Sequence, residues 1–258
     1  MTKSWLSPED ISSTAGEPFL RLPAPHQNIV ITPPREGDDE HLLTLFGDIS
    51  VAHCFHTIPI PFCRDHSQAM FSQAKEEADG LLDELRTAKE SPGKQWKVVG
   101  GCPLKYIREV QESGADVFIG RIWVGRDQYE DVFGKAERRA AVEENDARPV
   151  GDPSIRWTIG VALAPSHQGQ GIMTSVVHQL LHSWLVPRMN VRYIVVYAFV
   201  ENLRSVRVFE KNGFTKVAVL QDEEYIVRGE RRSLTMLEWR FRDPASLLAR
   251  WYSTVLSL

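Results

Sequence analysis

Apolar and small residues alternate across residues 157–163. Trp157, Ile159, Val161 and Leu163 share one parity, while Thr158, Gly160, Ala162 and, just beyond, Ala164 hold the other. That is the period of a strand with one bulky face and one nearly bare face, and a bare face leaves room for a ligand. At Ile172 the period changes: Ile172, Met173, Val176, Val177, Leu180, Leu181, Trp184 and Leu185 fall on one stripe, predicting a helix over 172–185 that ends before Pro187. Residues 193–200 are almost wholly apolar, as in a central parallel strand buried on both faces. Asn202 then caps a short helix that stops at Asn212-Gly213, with Phe214 as the apolar residue after the stop.

The remaining pattern fills in the body. Residues 28–32 read as a first strand. A helix over 38–46 turns Leu42, Leu43 and Phe46 inward, and a longer one over 64–89 carries Met70, Phe71, Ala74, Ala78, Leu81, Leu82 and Leu85 at helical spacing. Strands follow at 104–110 and 117–124. After Phe214, 216–221 continues through 225–227, and Arg228-Gly229-Glu230 leads to a last strand over 233–241. Three stretches stand apart from this body at 28–241. Residues 1–27 mix Ser, Pro and acidic residues without period, as in an extended or partly disordered arm. Residues 127–153 form a charged insert with Lys135, Arg138, Arg139, Glu143, Glu144 and Asp146, long enough to be a lid. In the tail, 242–258, Asp243 and Pro244 open a helix with an apolar face of Leu247, Leu248, Trp251, Tyr252, Val255 and Leu256. That face must pack on the body or on a second copy, so the tail or the insert is where a homodimer would form.

Composition narrows the partners. Among 258 residues, Lys plus Arg is 30 and Asp plus Glu is 34, a net charge of −4, which gives no general attraction to nucleic acid or to an anionic membrane. The first residues lack an apolar signal core and no apolar run is long enough to span a bilayer, so a soluble, cytoplasmic protein is expected. Cys54, Cys63 and Cys102 are odd in number and lack paired metal spacing, so reduced, mostly buried thiols are the default. His178 and His182 stand one substitution from a metalloprotease pattern, but Gln179 cannot act as its carboxylate base. A solvated helix face without a metal is the reading.

The chemistry lies between the strand at 157–163 and the helix at 172. Gln168-Gly169-Gln170-Gly171-Ile172-Met173 places two close glycines at a helix N-terminus, where free backbone amides and the positive end of the helix dipole make a cradle for a pyrophosphate. A Walker loop needs a lysine that does not follow Gly171, and a dinucleotide fingerprint needs a third glycine where Thr174 stands.

With Gln168, Gly171 and Met173 at the three places of [Q/R]-x-x-G-x-[G/A], the chain resembles the GNAT superfamily of acyl-CoA N-acyltransferases. Met173 departs from the usual small residue. A second block, Asn202-Leu203-Arg204-Ser205 followed by Val208-Phe209-Glu210-Lys211-Asn212-Gly213-Phe214, is similar to the RimJ/RimL-type branch. The resemblance implies an α/β fold with a mixed, mostly antiparallel sheet splayed at two central parallel strands and flanked by helices. It further implies acetyl-CoA as co-substrate and a primary amine as acceptor: a small molecule, an amino acid or a protein N-terminus. Backbone amides of Gln168, Gly169, Gln170, Gly171, Ile172 and Met173 would hold the pyrophosphate, with Thr174 adding a hydroxyl. The strand edge at Val161 and Leu163 would pair with the pantetheine arm, Asn202 would bond that arm by its amide, and an N–H near Leu163 would take the oxyanion. Phe209 holds the place where many members carry a proton-donating tyrosine. Ser205, on the same helix, is either a substitute proton relay or a small residue that lets the cofactor approach. No carboxylate lies within 157–163, leaving Glu201, Asp116 and Glu109 on neighbouring strands as candidate bases. A cofactor-binding module without catalysis is the alternative.

Overall fold

The computed structural model describes residues 17–89, 98–221, 226–227 and 229–242. The elements run β1 (Leu20–Arg21), β2 (Ile29–Thr32), α1 (Asp38–Gly47), α2 (Ile49–Ala52), α3 (Arg64–Lys89), β3 (Tyr106–Val110), β4 (Asp116–Arg126), α4 (Lys135–Ala147), β5 (Arg156–Leu163), α5 (Ile172–Leu180), α6 (Val186–Met189), β6 (Tyr193–Phe199), α7 (Leu203–Glu210), β7 (Thr215–Leu220), β8 (Ile226–Val227), β9 (Glu230–Arg231) and β10 (Leu234–Arg240). One sheet takes the order β1-β2-β3-β4-β5-β6-β10-β7. Every neighbouring pair is antiparallel except β5 and β6.

Adjacent residues on a strand face opposite layers, and the packing follows that parity. Ile107, Ile119 and Leu163 join Ile194 and Val196 in the core under α5, whose Ile172, Met173, Val176, Val177 and Leu180 are all buried. Their neighbours Tyr106, Phe118 and Ala162 face the other way, into a second cluster with Leu42, Phe46, Val51 and Ala74 of α1, α2 and α3. A buried pair fixes that second layer to the sheet: Arg108 on β3 donates to both oxygens of Asp38 at the start of α1, at 2.8 and 2.6 Å, and to Thr32 at 2.9 Å.

The sheet opens between β5 and β6. β4 pairs with β5 along its whole length, from Gly120 opposite Leu163 to Arg126 opposite Trp157. β6 pairs with β10 from Phe199 to Tyr193. Between β5 and β6 only Arg156 with Tyr193 and Trp157 with Ile194 are in register. From Thr158 onward, the edge of β5 that faces β6 has no partner strand.

The structure corrects several expectations. The helix from Ile172 does not end before Pro187; a π turn over Leu181–Leu185 is followed by α6, and the stop comes at Asn190 with φ 54°. A proline clashes with the carbonyl four residues back in a regular helix, and the wider turn just before it lets the chain pass. The sheet begins at Leu20, before residue 28, because Leu20 and Leu22 are apolar enough to be buried in the core. Residues 226–227 do not extend β7 but pair with β9 in a separate hairpin. Cys102 is buried, whereas Cys54 and Cys63 are exposed. The insert contains a helix, α4. The apolar face of the tail lies outside the described residues. No helix among the described residues is long and apolar enough to cross a membrane.

Candidate active site

At the open end of the splay, β5 leads through a short turn over Pro165–His167 into the glycine loop. Gly169 and Gly171 have φ of 78° and 82°, a left-handed conformation that glycine adopts without a Cβ penalty. Gly171 is the N-cap of α5 and supplies no side-chain acceptor, so the first amides of the helix point outward uncapped. The glutamines hold the loop rather than face a ligand: Gln168 Nε2 donates to Leu163 O at 2.9 Å, Gln170 Nε2 donates to Ser166 O at 3.0 Å, and Arg204 donates to Gln168 Oε1 at 3.2 Å. Ile172 and Met173 bury their side chains in the core, leaving their amides for the loop. Thr174 is half-buried, and its carbonyl accepts from Asn212.

α7 lies beside this loop. Asn202 is its N-cap, with Oδ1 accepting from the Ser205 amide at 3.2 Å, and Ser205 is half-buried. Phe209 is 2 % exposed and packs edge-on against Phe214, 5.1 Å between ring centroids. Its ring belongs to the core. Glu201 is ion-paired with Arg232, which also donates to His53 O at 2.8 Å. Although burial opposes it, bonds from its own backbone amide and Arg232 hold the Glu201 carboxyl below its usual range. The other two carboxylates are also engaged: Asp116 receives Arg35, and Glu109 receives Asn28 and Gln111.

The closed end of the splay holds a polar cluster that the motif did not foretell. Arg156, the first residue of β5, bonds Asp131 at 2.6 Å and Tyr197 of β6 at 2.7 Å; its Nε lies 2.8 Å from Asp127. Its guanidinium also sits over the Tyr129 ring at 4.5 Å. Asp127 is 1 % exposed, and burial pushes its carboxyl up to about 6 despite Arg156. Burial works the same way on Asp131 and Glu130, but hydrogen bonds from Arg156 and Tyr197 to the first, and from His56 and Arg138 to the second, bring both below the usual range. His56, from the loop after α2, faces Glu130 at 3.7 Å and the Phe199 ring edge. The bare face of β5 is partly covered. The Trp123 indole folds over Gly125, where a Cβ would come within 2.4 Å of it, and reaches Gly160.

The insert supplies much of this cluster. Asn145 of α4 is fully buried and bonds both backbone groups of Arg156, at 2.8 and 2.9 Å, so the insert is fastened to the start of β5, away from the glycine loop. His26, from the turn between β1 and β2, stands beside that loop, its Nε2 3.6 Å from where a Gly171 Cβ would be. Sequence spacing could not find it. For Arg156 and Tyr197 a faint signal existed: polar tips sharing one parity in otherwise apolar strands. His178 and His182 lie together on an exposed helix face, their rings tilted by 52° with 4.5 Å between centroids, and no group of three potential metal ligands occurs among the described residues.

Comparison with known proteins agrees with this geometry. The profile of the acetyltransferase (GNAT) domain matches residues 28–215. No curated protein sequence matches the chain. Among solved structures, a GNAT-family acetyltransferase from Bacillus anthracis is 13 % identical, with 86 % of this chain and 98 % of that one covered and a TM-score of 0.53. The microcin C7 self-immunity acetyltransferase MccE, solved with acetyl-CoA and AMP, is 16 % identical over 83 % and 93 % of the two chains, with a TM-score of 0.53. RimL, the ribosomal L7/L12 alpha-N-protein acetyltransferase solved with coenzyme A, is 13 % identical over 86 % and 98 %, with a TM-score of 0.52. At these identities the likeness is one of fold. The profile match is a different matter, since it runs unbroken from the second strand past α7 and takes in both ends of the splay: this chain is a member of the GNAT acetyltransferase family and an acyltransferase by class.

Proposed function

We propose that the protein moves an acetyl group from acetyl-CoA to a primary amine by direct attack of the amine on the thioester. One observation carries the reading: the unpaired edge of β5 beyond Trp157 runs straight into the uncapped N-terminus of α5. An extended pantetheine arm would complete the missing strand against Val161 and Leu163, and its pyrophosphate would then meet the amides from Gly169 to Met173, with Thr174 beside them. Acetyl-CoA and coenzyme A in MccE and RimL support the choice of cofactor. Asn202 keeps its side-chain N–H groups for the arm, since its oxygen is spent on the helix cap.

Attack generates an oxyanion, for which a backbone N–H near Leu163 is the donor, and a thiolate, to which Ser205 would relay a proton. Phe209, in the core beneath α7, has no proton to give. The amine must also lose a proton. Glu201 would have to break from Arg232 to accept it, and Asp127, whose amide bonds Arg156 O at the closed end of the splay, stands roughly 20 Å along β5 from Leu163. A water chain is therefore the favoured acceptor of that proton, and an α-amino group with a pKa near 8 needs the least help. A cytoplasmic setting suits such a reaction.

Calorimetry with acetyl-CoA, followed by turnover on a panel of amines, tests the reading. Micromolar binding with acetylated product supports it; absence of acetyl-CoA binding by the folded protein removes it, and binding without turnover on any amine identifies a silent module.

A further inference from the structure

Three side chains form a row across the sheet. Tyr106 on β3 pairs with Arg121 on β4, and Arg121 pairs with Ala162 on β5, so all three project to one face, beneath α1 and α3. Most charged side chains around them are matched: Arg108 with Asp38, Lys105 with Glu77, and Arg156 with Asp127 and Asp131. Arg121 is not. Its Nη1 donates to the Met70 thioether at 2.9 Å, its Nε is buried with no acceptor, and among the described residues no carboxylate pairs with it. Glu77 feels its charge but accepts from Lys105 Nζ at 2.6 Å. The Tyr106 hydroxyl, on a residue 0 % exposed, is likewise buried without a partner among the described residues. Burial raises that phenol well above its usual range, so it stays a neutral donor, and the same burial draws the Arg121 guanidinium downward.

A thioether is a weak acceptor for a guanidinium, and a carboxylate is the acceptor that its planar fork fits best. The residue as a whole keeps partial exposure; toward β5 its neighbours on the same face are the small residues Gly160 and Ala162, with the Trp123 indole beside Gly160. Ala162 lies between Val161 and Leu163, whose backbone the pantetheine arm would follow. Arg121 is one strand spacing away, about 4.8 Å. We propose that Arg121 and Tyr106 bind a carboxylate of the acceptor, so that the amine acetylated is a small amino acid with its carboxylate only a few atoms from the amine. This rests on the acetyl-transfer reading above and narrows its acceptor.

The test compares the full chain with Arg121→Gln. Each of the common L-amino acids, β-alanine and 4-aminobutyrate is assayed beside its carboxamide, after acetyl-CoA affinity has been measured for both proteins. In the wild type the best amino acid should exceed its amide by about tenfold or more in kcat/KM, mainly through KM. In Arg121→Gln that ratio should fall to near one with acetyl-CoA affinity unchanged. Equal use of acids and amides by the wild type, or an equal loss for both in the variant, overturns the proposal while leaving the transferase reading intact. A second measurement is independent of turnover: NMR titration of the protein with propionate and with propionamide. Propionate alone should bind, more weakly in Tyr106→Phe and not at all in Arg121→Gln. Failure of propionate to bind the wild type, or equal binding of the amide, overturns the proposal whatever the kinetics show; failure of acetyl-CoA to bind overturns the transferase reading instead.

Discussion

The two ends of β5 are built by different means. At its C-terminal end the loop from Gln168 to Met173 follows the strand directly, and what it offers a ligand is backbone: amides at a helix N-terminus opened by two left-handed glycines. At its N-terminal end Arg156 gathers Asp127, Asp131, Tyr129 and Tyr197, with His56 and Glu130 alongside, from three other segments. There everything on offer is side chain. Backbone chemistry needs only a local conformation and so tolerates many neighbours, whereas a side-chain cluster needs every member in place. On the proposed reading, one end would hold what acyl-CoA substrates share, and the other would set what is particular to this chain.

That contrast is broken most sharply at the backbone end. Gly171→Asp adds a side chain at φ 82° and a negative charge to the cradle, and should weaken acetyl-CoA binding by about 1,000-fold or more while leaving the fold intact. Calorimetry on the variant showing wild-type affinity would mean that the loop does not hold the cofactor. At the side-chain end the first casualty should be stability. Arg156→Met leaves Asp127 buried beside Asp131 without a cation, and denaturant unfolding should show a loss of about 3–5 kcal/mol; a loss below about 1 kcal/mol would mean that the cluster is not an interdependent unit.

Asp127→Asn separates charge from packing. Its effect should show in the pH dependence of stability. With the folded pKa raised to about 6 from about 3.9 in the unfolded chain, this group stabilises fully below about pH 4 and loses that contribution as pH rises to 6; the Asn variant should be flatter over that window. An equal slope of unfolding free energy between about pH 4 and 6 in wild type and variant would mean that Asp127 is not the raised carboxyl. The smallest effect is expected at Ser205→Ala, a slowing of less than about tenfold because a thiolate is already a fair leaving group. Rates equal to wild type under single-turnover conditions would make Ser205 a packing residue and assign the proton to solvent.

Much of the frame was legible because it is written in period and punctuation. Alternation over 157–163, the stripe from Ile172 and the stop at Asn212-Gly213 correspond to β5, α5 and the end of α7. Where a local rule misled, a tertiary element had intervened: Pro187 did not end its helix because a π turn precedes it, and Leu20 joined the sheet because the core could bury it. The bare face of β5 was read from its own residues, but Trp123 of the next strand lies across it.

The sequence by itself determined the family and the glycine turn at the start of α5, since the motif lies in adjacent residues whose backbone conformation is set locally. Only the tertiary structure decided which side chains gather around the splay. It showed Glu201 held by Arg232 and Phe209 in the core, and set Asp127 beside Arg156 and Arg121 beside Tyr106 with no paired carboxylate among the described residues. These outcomes depend on strand register and on which layer covers each face. A pairing shifted by one residue would exchange them all, because neighbouring side chains on a strand point to opposite sides.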